Sequence, residues 1–114
     1  EAPHNLMYIL PQSGSNQNLL VTYLRRLNVT KFRGKDIGIA TEEFDDIRTL
    51  VIISGLGDAD DAKKYMNAAD ADSRVKMSLR NANHRSFIIS NENLEIFRQE
   101  KDINGYRSFY EKNY

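Results

Sequence analysis

Four stretches of the chain have the apolar content and the length of β-strands. They cover residues 6–10, 37–41, 49–54 and 86–90. The first (LMYIL) is uniformly apolar and is ended by Pro11, and the third (TLVIIS) is rich in branched side chains. In the second, Ile37, Ile39 and Thr41 alternate with small or polar residues, which is typical of an edge strand with one face in water.

Two segments between these strands have apolar residues at helical spacing and are predicted to be helices. Ser15 or Asn16 can cap a first helix that ends near Asn28, because apolar residues recur there at steps of one, three and four. Its inward stripe comprises Leu19, Leu20, Tyr23, Leu24 and Leu27. A second helix begins at Asp58. Its inward residues are Ala59, Ala62, Tyr65, Met66 and Ala69.

The rest of the chain is more polar between its elements. Residues 70–84 contain Val75, Met77 and Leu79 as their only sizeable apolar members, so we expect a helical turn and a loop. After the fourth strand, Asn91 caps a short helix around ENLEIFRQ and Asp102 begins another. One side of this last helix carries Ile103, Tyr106, Phe109, Tyr110 and Tyr114. This spacing favours packing on the protein's own sheet.

The order of elements predicts an α+β fold. Two split βαβ units in the order βαββαβ usually form a four-stranded antiparallel sheet with two helices on one face, the ferredoxin-like arrangement, here with extra C-terminal helices. Right-handed crossovers place the first and third strands at the centre, and these have the longest apolar runs. We expect residues 1–114 to form one such domain, with a helical extension over residues 91–114.

Both faces of the predicted sheet are apolar. In a plain ferredoxin-like fold the second face meets water, whereas the runs LMYIL, LVII and FII place large apolar groups on both faces. Another element must therefore cover the second face. The aromatic tail after residue 90 is the nearest candidate, and a second copy of the chain or a neighbouring domain is the alternative.

The stretch SGLGDAD is the strongest candidate for a nucleotide site. A dinucleotide fingerprint needs a third glycine where Asp60 stands, and a P-loop needs a Gly-Lys-Ser/Thr sequence that the stretch lacks. Asp58, Asp60 and Asp61 also place negative charge at the helix N-terminus, which repels phosphate. The stretch is therefore interpreted as a tight turn followed by an acidic N-cap.

No other motif supplies a metal site or a catalytic group. A calcium loop that starts at Asp58 has Lys63 at the place of its glycine and Ala69 at the place of its glutamate. His4 and His84 lack companions at metal-ligand spacing, and we expect both at the surface. The sequence contains no nucleophile elbow. We expect no cofactor, no metal and no enzymatic activity.

Composition narrows the classes of partner. The 114 residues are 40% hydrophobic and 28% charged, so the chain fits neither a disordered nor a membrane-spanning protein. Sixteen basic residues balance sixteen acidic ones, so no net field attracts nucleic acid. An RNA-recognition sheet is also disfavoured, because Tyr8 is the only aromatic residue in the two central strands. The chain starts without methionine, and we expect it to be excised from a longer protein.

An interaction surface on the aromatic tail is the remaining candidate site. Aromatic residues and arginine are common at the centres of protein interfaces. The candidate residues are Tyr106, Arg107, Tyr110 and Tyr114. We expect a protein partner or self-association, without direct insertion of this chain into a membrane.

The last thirty residues, RSFIISNENLEIFRQEKDINGYRSFYEKNY, resemble the ending of a known family. The matching features are the strand FIIS, then Asn93 with Phe97, then Tyr106, Phe109 and Tyr110, and the final KNY. The family is the tetratricopeptide-repeat envelope lipoproteins of Bacteroidetes that are linked to gliding motility and type IX secretion (SprE/PorW-like). The earlier stretches HNLMYILP and DDAKKYMNA are similar to the strand and helix that precede this ending.

The resemblance implies a location and a role. The location is the periplasm or the outer membrane, and the role is that of a non-enzymatic module through which a larger protein contacts its partners. The alternative is a peptidoglycan-binding module like the SPOR domains, which share the βαββαβ layout. A SPOR-like site would occupy the exposed face of the sheet, which we expect the aromatic tail to cover, and co-sedimentation with sacculi separates the two hypotheses.

Overall fold

The chain forms an α+β structure with a four-stranded antiparallel sheet. The computed structural model describes residues 2–12, 15–80 and 82–114. Within these ranges the elements are β1 His4–Pro11, α1 Ser15–Lys31, β2 Gly38–Glu43, β3 Arg48–Ser54, α2 Ala59–Ala71, α3 Ser73–Leu79, β4 Arg85–Ser90, α4 Asn91–Glu100 and α5 Ile103–Asn113. The predicted strands are confirmed, and so is the helix within residues 70–84.

The strands lie in the order β2-β3-β1-β4, with every neighbouring pair antiparallel. The predicted central position of β1 and β3 and the edge position of β2 are therefore confirmed. The register places Met7 opposite Ile52 of β3 and opposite Phe87 of β4. Because side chains alternate along a strand, this row of apolar residues lies on one face and the next row on the other.

The first face of the sheet packs against α1, α2 and α3. Its buried residues include Leu6, Tyr8 and Ile53 from the central strands, in contact with Leu24 of α1 and Tyr65 of α2. The Tyr65 hydroxyl donates to the Asn28 side-chain oxygen at 2.6 Å, which satisfies its buried polar group. The hydrophobic core on this face contains more buried residues than the core on the other face.

The second face is covered by the C-terminal helices, as the sequence predicts. The strand residues in this cluster are Met7, Ile9, Leu50, Ile52, Phe87 and Ile89. Leu94 and Phe97 of α4 and Tyr106 of α5 are buried against them, and Phe44 completes the cluster. The Phe44 and Phe97 rings stack with their centroids 5.3 Å apart. The protein's own tail therefore closes the face over the two central strands and β4.

Two details of α1 differ from the prediction. The helix continues to Lys31 instead of ending near Asn28. Leu19 is 44% exposed, whereas Leu20, Leu24 and Leu27 are buried. The contact with the sheet is thus a narrower stripe than the sequence pattern indicates, because only residues three and four apart share one side of the helix. The predicted cap at Ser15 or Asn16 lies outside the described side chains.

The predicted cap of α4 is wrong by one residue. Ser90 is the N-cap, and its hydroxyl accepts from the backbone N–H of Asn93 at 3.1 Å. Asn91 is instead the first residue of the helix, and its side chain accepts from Asn5 Nδ2 at 2.8 Å. Asn5 also donates to the Ile89 carbonyl, so this pair joins β1 to the start of α4.

Candidate interaction groove

The glycines of SGLGDAD accommodate the protein's own atoms. Gly55 has φ +78°, and a Cβ there would meet the backbone carbonyl of Asp36. Gly57 has φ +117°, and a Cβ there would meet the Asp61 carboxylate. Each glycine is thus required by a local contact and by a left-handed backbone conformation.

The acidic cap predicted for α2 is confirmed. The Asp58 carboxylate accepts from the Asp61 backbone N–H at 3.0 Å, and the Asp61 carboxylate accepts from the Asp58 N–H at 3.2 Å. This is a capping box. The hydrogen bond from the Asp61 backbone lowers the pKa of Asp58. The helix N-terminus that would hold a phosphate is therefore occupied by the two carboxylates.

Both histidines are half-buried, so the predicted surface position is only partly met. His4 Nε2 lies 2.6 Å from the Tyr114 hydroxyl, and His84 Nδ1 lies 3.2 Å from the Ala82 carbonyl. In the part of the chain that the structure describes, no three histidine or acidic residues cluster as metal ligands would. No helix in the described ranges combines the length and the hydropathy needed to cross a bilayer.

The four residues of the predicted interaction surface fall in different environments. Tyr106 is buried, and its hydroxyl donates to the Ile88 carbonyl at 2.6 Å. Tyr110 is half-buried, with its ring edge-on to Phe87 at 5.2 Å. Burial raises the pKa of both hydroxyls above the usual tyrosine range.

Tyr114 and Arg107 complete the predicted set. Tyr114 is half-buried, stacks on Tyr110 at 5.1 Å and meets the His4 ring edge-on at 5.8 Å. The Lys63 ammonium lies 5.7 Å from the centre of the Tyr114 ring. Of the four, only Arg107 is exposed. The three tyrosines therefore pack mainly inside the protein and do not form one open surface with Arg107.

The structure instead contains a groove between α4 and α5, of about 290 Å³. We call it the α4–α5 groove, and it is lined by Asn93, Ile96, Phe97, Glu100, Asp102, Gly105, Tyr106 and Phe109. The lining residues from α4, and those from α5 together with its N-cap Asp102, lie at positions i, i+3, i+4 and i+7, which is the spacing of one helical face. Only Tyr106 belongs to both the groove and the surface predicted from the sequence.

The groove has an apolar centre and an acidic end. Phe97 and Tyr106 are buried at its base, with ring centroids 5.9 Å apart. Ile96 is 46% exposed and Phe109 is 41% exposed beside them. At the connection between the helices, Glu100 and Asp102 contribute two carboxylates, and one Asp102 oxygen caps α5 by accepting from the Gly105 N–H at 2.9 Å.

The sequence contains a signal for this groove in two pairs of adjacent apolar or aromatic residues. Ile96 stands one residue before Phe97, and Phe109 one residue before Tyr110. In each helix one of these neighbours faces the sheet and the other faces outward. A helix with more apolar residues than its buried stripe needs is a sign of a second contact surface. The helical spacing predicts Phe109 on the side that faces the sheet, and this is wrong because Phe109 is 41% exposed.

Two buried tyrosines give a matched test of these contacts. Tyr8 is fully buried, and its hydroxyl has no hydrogen-bond partner among the described residues, whereas the Tyr106 hydroxyl donates to Ile88. We expect Tyr106→Phe to lower the free energy of unfolding by about 1–2 kcal/mol, because the buried hydrogen bond from this hydroxyl to the Ile88 carbonyl is lost. Tyr8→Phe removes the same group and is expected to leave stability unchanged or higher.

Urea denaturation of both variants measures the difference. Equal losses in Tyr8→Phe and Tyr106→Phe would contradict the assignment of the Ile88 hydrogen bond as the distinguishing contact. The comparison is well matched because each change deletes one hydroxyl from a buried ring.

Comparisons with known proteins leave the groove without a described counterpart. No protein-family model matches the chain, and neither a curated protein nor a solved structure matches it. The chemistry of the groove itself is therefore the guide to its function.

Proposed function

We propose that the chain is a protein-interaction module that binds its partner in the α4–α5 groove. The observation that carries this proposal is the concave apolar strip formed by Ile96, Phe97, Tyr106 and Phe109. Apolar side chains of a partner gain stability by entering such a strip, at about 25 cal/mol per Å² removed from water. Aromatic residues at the base of a depression are also the usual anchors of protein interfaces.

A non-enzymatic role is part of this proposal. The groups that the sequence offers for chemistry have structural partners in the described residues: Asp58 and Asp61 cap α2, and His4 contacts Tyr114. These contacts explain the presence of the residues without a reaction. We accordingly propose no catalytic residue and no cofactor.

We also propose that the fold is a ferredoxin-like domain with a helical extension. The strand order supports this assignment, since β1 and β3 are central and both crossover helices pack on one face. α4 and α5 form the extension over residues 91–113. A crystal structure that places these strands in another order would contradict the assignment.

A place in the bacterial envelope is proposed from the family resemblance alone. The module would belong to a longer periplasmic or outer-membrane-associated protein with a role in secretion or motility. Fractionation of cells that carry a tagged full-length parent tests this location. Recovery of the parent only in the cytoplasm would contradict it.

The covered second face of the sheet argues against the glycan-binding alternative. A SPOR-like site needs an open sheet face, and α4 and α5 cover the second face over β1, β3 and β4. Sedimentation with purified sacculi tests the alternative directly. We expect no more co-sedimentation than with a control protein of similar size and charge.

Site-specific photo-crosslinking of the full-length parent tests the interaction. A photoreactive residue at position 109 is expected to form a defined cross-linked product, whereas the same residue at position 29 is not. Val29 is a suitable control because it is exposed on α1, away from the groove. We expect Ile96→Glu to abolish the product and Val29→Glu to retain it. A product that persists in Ile96→Glu would exclude the groove as the contact surface.

A further inference from the structure

The α4–α5 groove has a charge pattern that defines the chemistry of its partner. Its acidic end lies where α4 connects to α5, with Glu100 on one side of Lys101 and Asp102 on the other. Asn93 and Phe109 each lie seven residues further along their helices, which corresponds to about 10 Å of helix rise. A partner therefore meets carboxylates at one end and apolar side chains over the next two turns.

Two nearby cations, on Arg98 and Lys101, are engaged elsewhere. Arg98 of α4 forms a bidentate ion pair with Glu42 of β2, at 2.9 and 3.0 Å. The Lys101 ammonium donates to the Phe44 carbonyl and lies 5.5 Å from the centre of the Phe44 ring. Both cations are thus held by residues of β2 or of the segment that follows it.

Among the described residues, the two groove carboxylates take part in no ion pair. Within residues 2–12, 15–80 and 82–114, the ion pairs are Arg48 with Asp45 and Arg98 with Glu42, and neither involves the groove. Two carboxylates outside any of these ion pairs, beside an apolar strip, favour a ligand that brings its own positive charge. Complementary charge also fixes the direction in which a partner lies in the groove.

We propose, on the basis of the proposed function, that the partner segment is a basic amphipathic helix. Its lysine or arginine side chains contact Glu100 and Asp102, and its leucine or aromatic side chains lie between Ile96 and Phe109. A helix laid in an apolar groove presents anchors at i, i+3, i+4 and i+7, which matches the length of the lined strip. The volume of about 290 Å³ accommodates a few anchor side chains while the rest of the helix stays in solvent.

Peptide titration with the full chain tests the charge requirement. The probe is a synthetic amphipathic helix with leucines on one face and lysines at one end, and its match carries glutamates in place of the lysines. Fluorescence anisotropy is expected to show tighter binding of the lysine peptide, with a preference that weakens as salt is raised.

A double variant isolates the carboxylates. Glu100→Gln with Asp102→Asn removes both charges, and asparagine preserves the N-cap of α5. We expect this variant to bind the lysine peptide about three- to tenfold more weakly, as two exposed ion pairs imply. Glu111→Gln, an exposed change on α5 outside the groove, is the control and should have no effect.

The outcomes distinguish this inference from the proposed function. Equal affinity for the two peptides, no binding of either, or an unchanged double variant would overturn the inference of a basic partner. If Ile96→Glu still abolishes the cross-linked product of the parent in that case, the proposed function stands and only the inference of a basic partner fails. If peptide binding and the cross-link are both indifferent to Ile96→Glu, both proposals fail.

Discussion

Deletion of residues 91–114 is expected to leave a chain that does not fold as a stable monomer. The six strand side chains of the second face would lose the cover that Leu94, Phe97 and Tyr106 supply. Full burial of a large apolar side chain contributes about 1.5–3 kcal/mol. Loss of cover over several of them approaches the total stability of a domain, about 5–15 kcal/mol.

The truncated chain is best compared with two point variants. Phe97→Ala, at a buried ring, is expected to lower the free energy of unfolding by about 3–5 kcal/mol. Phe109→Ala, at an exposed ring of α5, is expected to cost less than about 1 kcal/mol. Size-exclusion chromatography and urea denaturation measure the series. A truncated chain that is monomeric and unfolds cooperatively would show that α4 and α5 are not needed for the fold.

Gly55→Ala is expected to be among the most destabilising single substitutions. Its φ of +78° disfavours any side chain, and the new Cβ would meet the Asp36 carbonyl, a backbone atom that cannot move without displacing the segment before β2. The conformational penalty alone is about 1–2 kcal/mol. With displacement of the backbone we expect about 3 kcal/mol or more.

Gly34→Ala provides the control for this prediction. Gly34 has φ +83°, close to that of Gly55, but apart from its two chain neighbours no described residue has a heavy atom within 4 Å of the position that an alanine methyl group would take there. We expect only the conformational penalty of about 1–2 kcal/mol. Thermal or urea unfolding of both variants separates the two contributions. Equal losses would mean that the close approach of Gly55 to Asp36 is not the reason for glycine in SGLGDAD.

The sheet was predictable because its signals are local and strong. Residues 6–10 and 50–53 are apolar without alternation, which indicates burial on both faces and therefore a central position in the sheet. The aspartates at positions 58 and 102 likewise marked the starts of α2 and α5. Each signal depends on residues close in the sequence.

Other features depend on contacts that the sequence does not display. Ser90 caps α4 in place of Asn91, because Asn91 contacts Asn5 from the far end of the chain. Both residues are good caps, and propensity cannot separate them. The ion pair of Arg98 with Glu42 joins positions that are distant in sequence. That pair holds the Arg98 guanidinium away from the acidic end of the groove, and the contact with the Phe44 carbonyl does the same for the Lys101 ammonium.

The residues of the interaction surface could also not be identified from the sequence alone. Tyr106, Tyr110 and Tyr114 have the composition of an interface, yet they pack largely within the protein. Aromatic side chains serve cores and interfaces equally well, so composition does not assign them to either. Solvent exposure distinguishes the two roles, and it identifies Ile96 and Phe109 as the residues available to a partner.

The most direct measurement of the central claim is the nuclear Overhauser contact between the Tyr106 and Phe87 rings. The rings lie edge-on with centroids 5.4 Å apart, which requires α5 to pack on the second face of the sheet. We expect strong ring-to-ring cross-peaks in the folded chain. Their absence, together with ring resonances of Tyr106 that resemble those of the unfolded chain, would show that the face is open.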